Sequence, residues 1–289
     1  MSILIERAND LELLSAFLAD INNQKSNHIG FCGTDRAGIL TALKEDCVDE
    51  NGDTSFFIAK NNTGEIIAAC GLDVDNEEAE VWGPFNKTES MEISAKLWGR
   101  LKENYPAVQQ FSFLINEKNI KQQLFMKQIN AEEEGQHLSL IIHRSRFGML
   151  EEIKSSSIKE EDFPVFQALH DFTFPGTYYD AETIRSRLNE GNILKVLKDD
   201  HGGLIGYAYF EIDKELSEAS LEYFAVSNNY QNKGFGGLLL KEALTAMFSY
   251  PEIREIYLTV DAGNHHANHV YEKVGFEKGN TLIHYKRKE

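Results

Sequence analysis

Apolar positions along the chain follow two rhythms, and the same succession of rhythms runs twice. Short runs rich in β-branched and aromatic residues read as strands, and apolar residues recurring every three or four positions read as amphipathic helices. In the first half the predicted strands are TSFFIAK (54–60), GEIIAACGLDVD (64–75) and EAEVWGPF (78–85). A helix over MEISAKLWGRLKENY (91–105) stops at Pro106. The strand VQQFSFLIN (108–116), a short helix over 119–130 and the strand HLSLIIHR (137–144) complete the series. The second half answers with NILKVLK (192–198), GLIGYAYFEID (203–213) and ASLEYFAV (219–226). Then come a helix over 237–250 stopped by Pro251, the strand REIYLTVD (254–261), a helix over 264–275 and the strand LIHYKRK (282–288). The order β–β–β–α–β–α–β thus repeats at about half the chain length. Each copy follows helical segments, DLELLSAFLADI (10–21) and EEDFPVFQALHDF (160–172) among them. The boundary is expected near FGMLEEIKSSS (147–157), giving two α/β domains, 1–146 and 147–289.

Composition narrows the partners. The 289 residues, 42% hydrophobic and 26% charged, suffice for two ordinary soluble domains. No apolar run reaches membrane-spanning length, and the N-terminus lacks a signal peptide's basic start and unbroken apolar core. Cys32, Cys47 and Cys70 form no metal or disulfide spacing, so a reduced, cytoplasmic setting is expected, without membrane association and as a monomer or homodimer. The formal charge is −17, shared evenly by the halves. Such a surface repels phosphate backbones, which argues against nucleic acid, and suits a small cationic partner.

The sharpest chemical signal is YQNKGFGGLLL (230–240), between a strand ending at Val226 and a helix. A dinucleotide fingerprint fails because its third glycine falls on Leu239, and a Walker loop fails because Lys233 precedes the glycines. What remains, Gln231-x-x-Gly234-x-Gly236, lets backbone N–H groups converge at a helix N-terminus and hold a pyrophosphate. About thirty residues on stands NHHANHVYEKVGF, with Asn264, Ala267, Tyr271, Glu272, Lys273, Gly275 and Phe276. Together the two motifs resemble the coenzyme A loop and the N-x-x-A-x-x-x-Y-E-K-x-G-F signature of the GNAT superfamily of N-acetyltransferases. The second half resembles that family through both motifs, the first half through topology. One position departs: Asn228 stands where the family often has proline.

The resemblance implies two tandem GNAT-like domains, each a mixed, mostly antiparallel twisted sheet flanked by helices. It implies acetyl-CoA as co-substrate, no metal, and a small-molecule amine as acceptor. Coenzyme A would enter where the strand ending at Val226 splays from the strand at 254–261. Its pantetheine arm would pair with Phe224, Ala225 and Val226, and its pyrophosphate would rest on Gln231, Asn232, Lys233, Gly234, Phe235, Gly236 and Gly237. Asn264 and Ala267 would flank the arm, and the Tyr271 hydroxyl would protonate the departing sulfur. An ammonium must lose a proton before it attacks a thioester, so a base is needed. Glu218, Ser220 and Glu222 alternate onto one strand face, expected to be the face of Val226, and Glu222 is the first choice as base with Glu218 second. Phe172, Phe174, Tyr178 and Tyr179 are candidates to line the acceptor pocket. His265 and His269 lie one helical turn apart, but no third ligand accompanies them, and they read as rim residues.

The first half lacks both devices. Asn86–Met91 carries no glycine, Glu89 and Glu92 put negative charge where the pyrophosphate would sit, and Phe125 aligns with Tyr271. That domain is expected to be degenerate and non-catalytic. Two other readings stay open: an acyl-CoA-binding regulator that transfers nothing, and a transferase using a longer acyl chain.

Overall fold

The computed structural model describes residues 3–49 and 51–289. In chain order the first elements are β1 (Leu4–Arg7), α1 (Leu11–Asn22), α2 (Arg36–Glu45), β2 (Phe57–Lys60), β3 (Ile66–Asp75), β4 (Glu78–Asn86), α3 (Met91–Asn104), β5 (Gln110–Asn116), α4 (Ile120–Gln128) and β6 (Glu132–His143). They are followed by β7 (Ser156–Ser157), α5 (Phe163–Thr173), α6 (Ala181–Arg187), β8 (Asn192–Lys198), β9 (Leu204–Asp213), β10 (Glu218–Val226), α7 (Phe235–Phe248), β11 (Glu255–Asp261), α8 (His265–Val274) and β12 (Glu277–Lys288).

The chain divides into two compact units, and the division differs from a single cut at 146/147. One unit is Met1–His137 with Asn280–Glu289, and the other is Leu138–Gly279. The reason lies in the closing strands. In the first unit β12 runs antiparallel beside β5, from Leu282 opposite Asn116 to Lys288 opposite Gln110. Its Ile283 and Tyr285 join the core with Leu97, Leu101 and Phe125. In the second unit the end of β6 lies beside β11, and Leu140 and Ile142 join Leu240, Leu244 and Val274 in the core. Each half-sequence therefore supplies the strand that completes the other unit.

Within the first unit the strand order is β1-β2-β3-β4-β5-β12; within the second it is β6-β11-β10-β9-β8-β7. The β4/β5 and β10/β11 pairs are parallel, and the ladders from β1 to β4 and from β7 to β10 are antiparallel. Both sheets bury both faces. In the second unit α7 and α8 cover one face through Leu239, Leu244, Phe248, Tyr271 and Val274, while α5 and α6 cover the other through Phe166, Ala181 and Ile184. Leu239, Leu240, Leu244, Met247 and Phe248 of α7 are fully buried. At about 1.5–3 kcal/mol for each such side chain, this helix anchors the unit.

The segment expected as a domain boundary is instead strapped to α7. The Leu150 N–H donates to Thr245 Oγ1 (3.2 Å), and the Lys154 and Ser155 N–H groups donate to the buried Glu242 carboxylate (2.9 and 2.7 Å). Two donors on one buried carboxylate satisfy a charge that burial alone would penalise.

Candidate active site

The second unit opens at one place in its sheet. β10 and β11 are in register at a single pair, Ser220 with Tyr257, and β10 runs on to Val226. A parallel pair held only at its start leaves backbone donors and acceptors on the edge of β10 for another chain-like partner.

The glycine loop closes on the end of that strand. Asn232 and Gly234 have φ of +60° and +87°, left-handed conformations that turn the chain sharply before α7. Gly234 is the N-cap of α7 and offers no side-chain cap, so the first amides of a 14-residue helix point outward unpaired by a capping group. By contrast, Asn264 caps α8 through the Ala267 N–H (3.1 Å). A Cβ at Gly236 would sit 3.7 Å from Phe224, 3.8 Å from Val226 and 3.9 Å from Val270. The loop, the tip of β10 and α8 therefore meet at one point. Gln231 and Lys233 are exposed and bond back to the turn before them: Gln231 Nε2 donates to Val226 O (2.9 Å) and Asn228 Oδ1 (3.0 Å), and Lys233 Nζ donates to Asn229 O (2.8 Å). Phe235 packs edge-on against Tyr230.

Tyr271 stands at the same place. Its ring lies 6.5 Å from Phe224 and 5.6 Å from Phe276, with 9% of its surface exposed. Burial pushes its phenol up to about 12, so the hydroxyl keeps its proton through neutral pH.

Residues 156–276, all within this unit, match the model of the Acetyltransferase (GNAT) family. That stretch is a GNAT acetyltransferase domain. A probable spermine N(1)-acetyltransferase of Bacillus subtilis subsp. natto is 29% identical over 87 residues, 28% of this chain and 57% of that protein. The match thus spans a little over half of the relative's length. The structure of a GCN5-related N-acetyltransferase from Sphaerobacter thermophilus superposes with a TM-score of 0.77 at 14% identity, covering 99% of this chain and 95% of that one. A tandem GNAT protein from the clavulanic acid biosynthesis pathway gives 0.64 at 14% identity, covering 99% and 98%. At such identity these two likenesses concern the fold, and they extend it over the whole chain.

On the other face of β10, the GNAT domain departs from the alternation expected of the strand. Leu221 pairs with Phe210 and Tyr223 with Tyr209, so Glu222 is an extra residue in a β-bulge. The bulge shifts the phase: Ala219, Leu221, Phe224 and Val226 pack with the α7 side, whereas Tyr223 and Ala225 pack with the α5/α6 side. Expecting Glu222 on the face of Val226 was therefore wrong, because an inserted residue reverses all later side chains. Glu222 instead keeps company with Ser220, Glu211 and Arg187. Crowding by protein pushes its carboxyl pKa up, the Ser220 hydroxyl opposes that, Glu211 adds to it and Arg187 offsets it. The Glu222 side chain is itself exposed to solvent.

Around it stands a set that the sequence did not announce. Arg187 Nη2 donates to both Glu211 oxygens (2.9 and 3.0 Å) and stacks 4.4 Å over the Tyr179 ring. Tyr209 donates to the same carboxylate. Of the four aromatics expected near the acceptor, Phe174 and Tyr179 pack against Tyr223, while Phe172 and Tyr178 are exposed. Glu218 begins β10 at the surface, and its neighbour Tyr257 hydrogen-bonds Glu255 (2.7 Å). These partners lie far apart in sequence, and no local pattern marks them. His265 and His269 are exposed on α8, and among the described residues no group of three or more His, Cys, Asp or Glu is placed to hold a metal. No described helix is long and apolar enough to cross a membrane.

The first unit shows the same plan, with β4 running on to Asn86 past its last pair with β5, but the turn that follows carries no glycine. β4 and β5 stay in register over three pairs, Glu78–Gln110 to Glu80–Ser112. The turn before α3 satisfies itself: Asn86 donates to Ser90 O (2.8 Å) and Ser94 Oγ (3.1 Å) and accepts from the Thr88 N–H (2.8 Å). Lys121 of α4 bridges to Thr88 O (2.7 Å) and Glu89 (3.2 Å), and Phe125 is buried in the core. Trp82 and Phe85 fill the α1/α2 side of β4.

Proposed function

We propose that the GNAT domain transfers an acetyl group from acetyl-CoA to a primary amine of a small cationic molecule, and that the first half of the chain, residues 1–146, does not catalyse. The observation that carries this is the meeting of Gly236 with Phe224 and Val226 beside a strand pair that opens after Ser220. An uncapped helix N-terminus and a free strand edge are thereby brought together, which suits a ligand with a phosphate end and an amide-bearing arm.

In this reading the amides of Gly234 to Gly237 face the pyrophosphate, the Phe224–Val226 backbone takes the pantetheine arm, and Asn264 and Ala267 border it. Acetyl-CoA as co-substrate supplies the thioester. Glu222 takes the proton from the acceptor ammonium, directly or through water, and its raised pKa makes it a better base near neutrality than an ordinary carboxylate. Tyr271, on the opposite face of β10, keeps a proton at its hydroxyl for the sulfur. The acceptor side carries Glu211, Glu218 and Glu222 against Arg187, an acidic balance that favours a cation. The similarity to a spermine N(1)-acetyltransferase agrees with that choice.

Coenzyme A thiol release, measured with acetyl-CoA and a panel of spermine, butane-1,4-diamine, phenylethylamine and glutamate, tests the proposal. Turnover on a cationic amine and none on glutamate is expected. Acetyl-CoA binding without turnover on any amine would instead make the protein a regulator.

A further inference from the structure

We propose that Tyr223 is a positioning residue that sets the segment from Phe174 to Asp180 against the acceptor side of the GNAT domain and thereby sets the affinity for the amine. The inference rests on the acetyltransferase reading of the site.

Tyr223 is the first residue of β10 after the bulge, next to Glu222, and it is buried with its ring among His170, Phe174 and Tyr209. Its hydroxyl takes no part in the sheet. It meets Thr177 Oγ1 at 2.7 Å and accepts from the Tyr179 N–H at 3.1 Å. The other side of residue 179 is held as well. Its carbonyl accepts from His170 Nε2 (2.8 Å), which therefore carries the ring proton, and His170 Nδ1 meets the Tyr207 hydroxyl (2.6 Å). Two tyrosines of the sheet, Tyr223 directly and Tyr207 through a fully buried histidine, thus grip the backbone of Tyr179 by its N–H and its C=O.

What Tyr179 carries makes the grip consequential. Arg187 stacks over its ring, and that guanidinium binds Glu211, which acts electrostatically on Glu222. The segment itself is irregular, with Pro175 and a left-handed Gly176 (φ +69°), so local structure does not fix it. A tyrosine kept only for packing would make the same ring contacts as phenylalanine. This hydroxyl is spent wholly on the loop, and that distinguishes positioning from core filling.

The test is Tyr223→Phe in the full chain, with Thr177→Val as a second variant that keeps the Tyr179 tether but removes one hydroxyl partner. The amine is whichever member of the panel above wild type turns over fastest. Loss of a net hydrogen bond corresponds to about a fivefold change in an equilibrium. For Tyr223→Phe we expect KM for the amine to rise about fivefold or more, acetyl-CoA affinity to stay unchanged, and the Tyr179 amide to exchange faster with solvent. Thr177→Val should give a smaller rise in the same direction, and it decides the matter if Tyr223→Phe does not fold. An unchanged amine KM, or an equal loss of acetyl-CoA affinity, overturns the proposal. Wild type that turns over no amine would overturn the underlying reading, a distinct outcome.

Discussion

At the scale of single residues, the proposed chemistry is divided between Glu222 and Tyr271. A base whose pKa is raised becomes competent only as pH climbs through that raised value, so the acid limb of kcat/KM should lie above the ordinary carboxylate range. In Glu222→Gln that limb should disappear and the rate should fall about a hundredfold; a pH profile checks it, and an unmoved limb would remove Glu222 from the mechanism. Tyr271 works in the opposite sense. With its phenol pushed up to about 12, its protonated form persists throughout the neutral range, so it imposes no alkaline limb near pH 8. Tyr271→Phe should lower kcat about a hundredfold with acetyl-CoA affinity unchanged, read by steady-state kinetics beside calorimetry.

Among the elements, α7 and the loop before it were the most legible in the sequence, because their signal is local. Glycine spacing, a Leu/Ala-rich helix and a following Pro251 specify turn, helix and stop without any distant partner. The strands of both halves were legible from their period, and the tyrosine motif fell on α8 as expected. Short elements were not: β1, α6 and β7 went unforeseen, as did the ten-residue α2, which buries only Ile39 and Leu43. β1 has four residues, and α6 has seven. Such runs are too brief for periodicity and are held by tertiary contacts. The bulge at Glu222 was equally hidden, because one inserted residue leaves the apolar pattern nearly unchanged while reversing the side chains beyond it. At this scale Gly234→Ala is informative. Forcing a Cβ into φ +87° costs about 1–2 kcal/mol, so the melting temperature should drop by several degrees and acetyl-CoA binding should weaken with it. Unchanged melting would show that the loop relaxes freely.

For the whole molecule, the exchange of closing strands governs what can be separated. A fragment starting at residue 147 discards Leu140 and Ile142, which are 2% and 1% exposed in the core of the second unit. Losing a large buried aliphatic side chain costs about 2–5 kcal/mol, so two of them consume much of a domain's stability. Fragment 147–289 should therefore unfold without cooperativity in a thermal melt, and fragment 138–279 should melt cooperatively. Equal, cooperative melting of both would refute the assignment of β6 to the second unit. The repeat was visible in the sequence, but the exchange was not, since strand partners are chosen in space and both candidates are similar apolar runs.

Two units of one plan share the chain, and in the proposed function only the second binds acetyl-CoA, at the Gly234–Gly237 loop. The Cβ space at Gly236 is ordinary, so the fold should tolerate a side chain there, while a glutamate would put charge and bulk at the amides. Calorimetric titration of acetyl-CoA into the full-length protein and into Gly236→Glu decides the matter. One site per chain, lost in the variant with the fold intact, is the result predicted. Two sites per chain, or binding that survives Gly236→Glu, would contradict it.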